Sequence, residues 1–221
     1  MAAYYASILY GALLTVGVSL AALLVSVLLG LLGAGAKLSG NRPLVALATG
    51  YTTIIRGIPE LVLMLLVFYG GSIGINHLLE LSGTGATLDI NPFTAGVLTL
   101  GFIYGAYMTE TFRGAILAIP RGQFEAAAAF GMGPVQTFLR ITAPQMVRHA
   151  VPGFTNNWLV LIKATALVSL IGLQEMTYLA KQASAATRSP FAFFLFAAAS
   201  SVIYTWVSLT LLRKLHGRYS L

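Results

Sequence analysis

Long apolar runs, separated by short polar gaps, make up most of the chain. A helix that crosses the roughly 30 Å hydrocarbon core of a bilayer needs about 20 mostly apolar residues. Five stretches meet this requirement, at about 7–36, 58–75, 92–109, 151–173 and 189–212. The pattern predicts an all-α integral membrane protein with five membrane-spanning helices, in which residues 1–221 form a single transmembrane domain.

Basic residues are distributed unevenly over the gaps, and cytoplasmic loops of membrane proteins are enriched in Lys and Arg. The first gap, the third gap and the C-terminal tail together hold Lys37, Arg42, Arg56, Arg113, Arg121, Arg140, Arg148, Arg213, Lys214 and Arg218. The opposite side holds only Lys181 and Arg188. This asymmetry predicts that the N-terminus lies outside the cell and the C-terminus inside it.

Composition agrees with a membrane protein and excludes several functions. Hydrophobic residues make up 57% and charged residues 9% of the chain, against about 45–50% and about 25% in soluble domains. Without cysteine, disulfides, thiol catalysis and thiolate metal sites are excluded. His77, His149 and His216 lack metal-ligand spacing, so no metal is expected. The net charge of +7 is spread over the gaps, so nucleic acid is not an expected partner.

The N-terminal apolar run is interpreted as a retained first span. Residues 1–36 carry no charge, so the basic region of a signal peptide is missing. The run is also longer than the roughly 7–15 apolar residues of such a peptide.

One segment between the third and fourth spans, EAAAAFGMGPVQTFLRITAP, fits neither a membrane span nor an ordinary linker. We expect Glu125 to open a short helix of alanines, since an acid is favoured at a helix N-terminus. Gly131 and Gly133 allow a turn, and a second, amphipathic helix follows, which Pro144 is expected to end. The segment could lie on lipid as an interfacial helix. Because alanines hold a helix on lipid only weakly, a docking surface for another protein is the favoured interpretation.

The spacing within this segment resembles the EAA loop of ABC importer permeases, whose pattern is EAA, three residues, G, nine residues and I-x-L-P. The matching residues are Glu125, Ala126, Ala127, Gly131, Ile141 and Pro144. Ala143 stands where the family usually has Leu, and its smaller side chain should weaken local packing without removing the turn. The stretches YTTIIRGIPELVLMLLVFYG, GAYMTETFRGAILAIPRGQFEAA and NNWLVLIKATALVSLIGL resemble the polar amino acid uptake branch of this family.

The resemblance implies the type I importer fold, a location in the bacterial inner membrane and the role of a permease subunit. Such permeases work as pairs docked on two ATPase subunits, and a periplasmic binding protein delivers their cargo. The resemblance also implies that the matching residues form a cytoplasmic coupling loop, at 121–144, that contacts the ATPase. A basic amino acid such as histidine, lysine, arginine or ornithine is the expected cargo, and another polar amino acid such as glutamine is the alternative.

This chain is expected neither to bind ATP nor to be an enzyme. The stretch GLLGAGAKLS is nearest to a phosphate-binding loop, but Ala36 separates Gly35 from Lys37, and Leu38 replaces the required Ser or Thr. It also closes an apolar helix, whereas the phosphate-binding loop follows a strand. No cofactor is therefore expected in this chain, and ATP belongs to the partner ATPase.

Ionisable residues within the spans are candidates for function. Glu110 and Arg113 lie three positions apart at the inner end of the third span, and a structural ion pair is the favoured interpretation. Lys163 lies in the middle of the fourth span, where an unpaired ammonium would cost at least a few kcal/mol. We expect it to face a cavity, a group of carbonyls or a partner subunit, in either a structural or a functional role.

Asn156, Asn157, Thr165 and Ser169 also lie on the fourth span, and the last three are expected to form one polar stripe. They could hydrogen-bond to neighbouring helices or line the substrate pathway. The resemblance implies that this span lines the substrate pocket, often with an acid at the position of Asn157. Because that acid is absent here, a cationic cargo would need a carboxylate from a second, non-identical permease subunit.

Two other kinds of protein are less compatible with the sequence. An ion-coupled secondary transporter usually has internal repeats, broken helices and acids at the membrane midplane. A membrane-embedded enzyme would need a constellation of His, Asp, Ser or Cys at membrane depth. Neither pattern is visible in the sequence.

Overall fold

The computed structural model describes residues 2–83 and 91–217, and the regular structure in these ranges is entirely helical. The α-helices are α1 (Ala2–Leu38), α2 (Arg42–Gly57), α3 (Glu60–Leu65), α4 (Gly71–Leu81), α5 (Pro92–Leu117), α6 (Arg121–Ala129), α7 (Pro134–Thr137), α8 (Ala143–Ala164), α9 (Met176–Thr187) and α10 (Pro190–Gly217). Two π-helical turns, Leu66–Gly70 and Phe138–Thr142, and a 3₁₀ helix, Thr165–Ile171, continue these helices. Arg218 and the side chain of His216 lie outside the described part of the chain.

Four helical stretches of the described ranges are long and apolar enough to cross a membrane, namely Ala2–Leu38, Glu60–Leu81, Pro134–Ile171 and Pro190–Lys214. They contain most of the first, second, fourth and fifth predicted spans. The third predicted span lies on α5, which is not one of the four. Glycine, threonine and tyrosine lower the hydropathy of α5, and most of these residues are buried against other helices.

Helix α5 forms the centre of the described fold. Its side chains at Leu100, Ile103 and Met108 have no exposed surface, and Tyr104 is almost completely buried. The long helix α1 lies along α5. The buried face of α1 consists mainly of small residues at helical spacing, whereas its leucines point outward. Small faces of this kind let the backbones of two membrane helices approach closely.

Two gaps of the predicted layout contain helices that the sequence analysis did not predict. Helix α2 occupies the first gap and packs against α1 and α5. Helix α9 occupies the gap before the last span, where its buried residues Met176, Ala180 and Ala183 pack with Ile8 of α1 and Phe193 of α10. Both gaps therefore contribute to the packed helical body.

The expectation that Pro144 ends the second short helix is wrong. The helical path runs from Pro134 to Ile171 with a π-helical turn at Phe138–Thr142. In this turn the amide of Ala143 donates to the carbonyl of Phe138. Pro144 lies in α8 directly after this turn, so the π-helical turn accommodates a residue that lacks an N–H donor.

We predict that Gly101→Ala destabilises the protein. A Cβ at this position would lie 2.5 Å from Cγ1 and 2.6 Å from Cβ of Val25 on α1. Overpacking of this kind typically costs about 1–3 kcal/mol, so the Tm of the purified protein in detergent should fall. Gly114→Ala on the same helix is the matched control, because its Cβ would meet open space. Equal Tm values for the two variants would contradict the proposed close approach of α1 and α5.

Candidate functional site

The segment that resembles the EAA loop folds as a helix and a glycine turn. Helix α6 ends at Ala129, and Gly131 adopts a left-handed conformation with φ of +70°. The amide of Met132 donates to the carbonyl of Ala127 at 2.9 Å, and the amide of Gly131 donates to Ala128 at 2.9 Å. These bonds form a Schellman motif, in which glycine avoids the steric cost of a positive φ.

The expectation that Glu125 opens this helix is wrong. Helix α6 begins four residues earlier, at Arg121, directly after Pro120. The residue before α6 contributes no side-chain cap, and Glu125 lies near the middle of the helix with its side chain exposed. It is therefore displayed on the helix surface rather than placed at the helix end.

The sequence-predicted coupling residues differ in exposure. Glu125, Ala126, Gly131 and Pro144 are exposed, Ile141 is half-buried, and Ala127 is only 2% exposed. Large apolar side chains around them are also exposed, and these are Phe130, Val135, Phe138 and Leu139. Phe130 has an exposed fraction of 87%. The segment therefore presents small and apolar side chains outward from the described fold.

A cavity of about 210 Å³ lies among α1, the end of α8, the start of α9 and α10. Lys163 and Thr165, two of the residues suggested for the substrate pathway, line this cavity. Ser200, Tyr204 and Thr205 of α10 add further hydroxyl groups to its wall.

The other three pathway candidates lie elsewhere. Asn157 is buried and donates to Oγ1 of Thr111 on α5 at 3.0 Å. Asn156 is exposed in the single chain, and Ser169 donates to the carbonyl of Ala166 at 2.7 Å. The structure thus brings only Lys163 and Thr165 into the cavity.

The change of helix type explains why the predicted stripe is not continuous. Four residues of an α-helix return to within about 40° of the starting direction. The chain is a 3₁₀ helix from Thr165 to Ile171, in which four residues end about 120° away. Ser169 therefore leaves the face that Thr165 occupies.

Glu175 is a polar residue of the cavity that the sequence analysis missed. It is 1% exposed and lines the cavity wall beside Thr15. Its carboxylate accepts from Oγ1 of Thr15 at 3.1 Å and from the amide of Tyr178 at 2.9 Å. Burial raises the pKa of this carboxyl, although neighbouring hydrogen bonds oppose the shift. The sequence signal that could have revealed Glu175 is an acid at the position just before a helix, here α9. It was missed because the gap between the fourth and fifth spans was not predicted to contain a helix.

A cluster of charges joins three helices at the predicted inner end of α5. Glu110 pairs with Arg113 at 3.1 Å, which confirms the predicted ion pair, and also with Lys37 of α1. Lys37 donates to Oγ1 of Thr52 on α2 at 2.6 Å. A carboxylate shared by two cations satisfies charges that would otherwise be costly beside the membrane.

Comparison with known proteins identifies the class. The family model of the "binding-protein-dependent transport system inner membrane component" matches residues 26–218, and the chain belongs to this family. It is thus a multi-pass membrane permease component, and ATP hydrolysis is the task of a separate subunit.

Particular relatives match over nearly the whole chain. The histidine/lysine/arginine/ornithine transport system permease protein HisQ of Escherichia coli is 49% identical over 96% of this chain and 93% of its own length. The octopine transport system permease protein OccQ of Rhizobium radiobacter is 41% identical over 88% of this chain and 82% of its own. A chain from the crystal structure of an amino acid ABC transporter with histidines is 31% identical, with a TM-score of 0.83 over 99% of this chain and 96% of that chain.

We predict that Glu110→Gln destabilises the protein because it leaves Lys37 without its anionic partner. The side chain of Lys37 is only 10% exposed, and an unsatisfied buried polar group costs about 1–3 kcal/mol. The double variant Lys37→Met/Glu110→Gln should recover part of the lost Tm, as a double-mutant cycle would show.

Glu80→Gln is the matched control, since the side chain of Glu80 is 83% exposed. Additive effects of the two single changes would contradict coupling between Lys37 and Glu110.

Proposed function

We propose that the chain is the permease subunit of an ATP-driven importer that moves basic amino acids into the cytoplasm. The observation that carries this proposal is the 49% identity, over nearly the full chain, with a permease named for histidine, lysine, arginine and ornithine. The structural likeness to an amino acid transporter solved with histidines supports the same class of cargo.

The proposed layout has five spans, with the N-terminus outside and the C-terminus inside, in a bacterial inner membrane. The distribution of Lys and Arg supports this orientation. The central position of α5 supports its assignment as the third span, because its polar and small residues are covered by α1, α2 and α8.

We further propose that the coupling loop at 121–144 docks on the ATPase. The exposed face of α6 and the exposed Phe130, Val135 and Leu139 support this role, since a partner would cover them. Gly131 fixes the direction in which the chain leaves α6. Conformational changes of the ATPase would be transmitted to the membrane-spanning helices through this contact.

The proposed assembly contains two ATPase subunits, a periplasmic binding protein and a second permease subunit of different sequence. The family description supports a binding protein and an inner membrane component. No nucleotide site is proposed in this chain, so each turnover requires the ATPase partner.

Cells that lack their own basic amino acid importers should gain uptake of labelled arginine when they express all four components of the assembly. Omission of the ATPase should abolish this uptake, because the permease alone has no energy source. Uptake that persists without the ATPase and follows an ion gradient would favour a secondary transporter. Uptake of glutamine in place of arginine would reassign the cargo.

We predict that Gly131→Arg abolishes uptake while the protein remains in the membrane, and that Gly131→Ala reduces uptake. A residue other than glycine in the left-handed conformation costs roughly 1–2 kcal/mol, which would disturb the turn after α6. Gly133→Ala is the matched control, since Gly133 has φ of −70° and open space around it. Uptake is measured in the same cells, and membrane fractions are probed for the protein. Wild-type uptake by Gly131→Arg would remove the coupling role from this turn.

A further inference from the structure

The cavity among α1, α8, α9 and α10 contains opposite charges on different helices. Glu175 precedes α9, and Lys163 belongs to the last turn of α8. No ion pair in the described ranges, 2–83 and 91–217, includes either residue. The two charges therefore line one space without neutralising each other directly.

The described residues around Glu175 provide it with hydrogen-bond donors but with no cationic partner. The groups that donate to it are the hydroxyls of Thr15 and Thr177 and backbone amides, all of them neutral. A buried carboxylate without a cationic partner is costly, and an opposite charge nearby favours its ionised form. This arrangement suits a cation that arrives as a ligand.

The size of the cavity fits a small molecule. An engineered protein cavity of about 150 Å³ holds benzene, and this one measures about 210 Å³. Hydroxyl groups of Thr15, Ser200 and Thr205 line the wall between the charged residues. The charged residues and hydroxyl groups suit the charged ends of a molecule of amino acid size, and the apolar remainder of the wall suits its hydrocarbon part.

We propose that this cavity binds the cargo by both charged ends, with Glu175 receiving the cationic side chain of a basic amino acid and Lys163 receiving its α-carboxylate. This inference rests on the proposed import of basic amino acids and names the residues that select them. With the N-terminus outside, the cavity lies toward the outer end of α1, on the side from which cargo arrives. A carboxylate for a cationic cargo is then available within this chain, in addition to one from the second, non-identical permease subunit.

The test measures ligand binding to the complete importer, purified in nanodiscs with the second permease and the ATPase but without the binding protein. The probes are labelled arginine, its neutral analogue citrulline, and agmatine, which lacks the α-carboxylate. Glu175→Gln keeps a hydrogen-bond acceptor but removes the charge, so the preference for arginine over citrulline should fall at least tenfold. Glu175→Asp keeps the charge and should retain most of this preference.

Lys163→Met tests the other end of the site. It should weaken binding of arginine and citrulline alike, at least tenfold, and should remove the preference for arginine over agmatine. The matched controls Glu80→Gln and Lys181→Met make the same chemical changes at exposed positions and should leave all ratios unchanged. The Tm of each variant is measured beside its binding, so that loss of fold is separated from loss of recognition.

The outcomes separate this inference from the proposed function. A wild-type importer that takes up arginine, with Glu175→Gln and Lys163→Met retaining wild-type ratios, would overturn the site and leave the function standing. Absence of arginine binding to the wild-type complex would also overturn the site. A complete importer that does not take up arginine at all would instead refute the proposed function.

Discussion

Close approach of α1 and α5 is the constraint on which the described fold depends. Lipid tails are as apolar as leucine, so helices in a membrane associate through close packing and interhelical hydrogen bonds rather than through hydrophobic burial. Gly30 on α1, and Gly101 and Gly105 on α5, lie where an added Cβ would overlap the opposite helix. With these two helices fixed, α2 and α8 pack against α5, and α9 packs against α1. The packing of this pair also positions Thr15 in the cavity wall and Lys37 beside Glu110.

Polar residues inside this protein are organised in two ways. At Glu110 the charges satisfy one another and join α1, α2 and α5, so the cluster has a structural role. At Glu175 the hydrogen bonds are satisfied while the charge is not, and the residue faces open volume. This difference separates an ion pair that holds helices together from a carboxylate that we propose receives a ligand.

Four of the predicted spans could be located from the sequence, because the length of an apolar run reflects the thickness of the bilayer directly. The ion pair of Glu110 and Arg113 follows from helical spacing alone and is confirmed. Helix α9 and Glu175 could not be predicted in this way, since a short helix buried by other helices carries no span-length signal. The separation of Ser169 from Thr165 depends on a local change from α to 3₁₀ geometry, which spacing does not reveal. The continuation of the helix through Pro144 was not predicted, because it depends on a π-helical turn that accommodates the proline.

The continuous helical path through Pro144 connects the proposed coupling loop with the cavity. From Pro134 to Ile171 it contains 38 residues, which corresponds to about 57 Å at 1.5 Å per residue. Its N-terminal end lies within the proposed coupling loop, and Lys163, near its C-terminal end, lines the cavity. A tilt of about 5° around one end displaces the other by roughly 5 Å. A small tilt of this helix at the proposed coupling loop would thus move Lys163 and change the shape of the cavity.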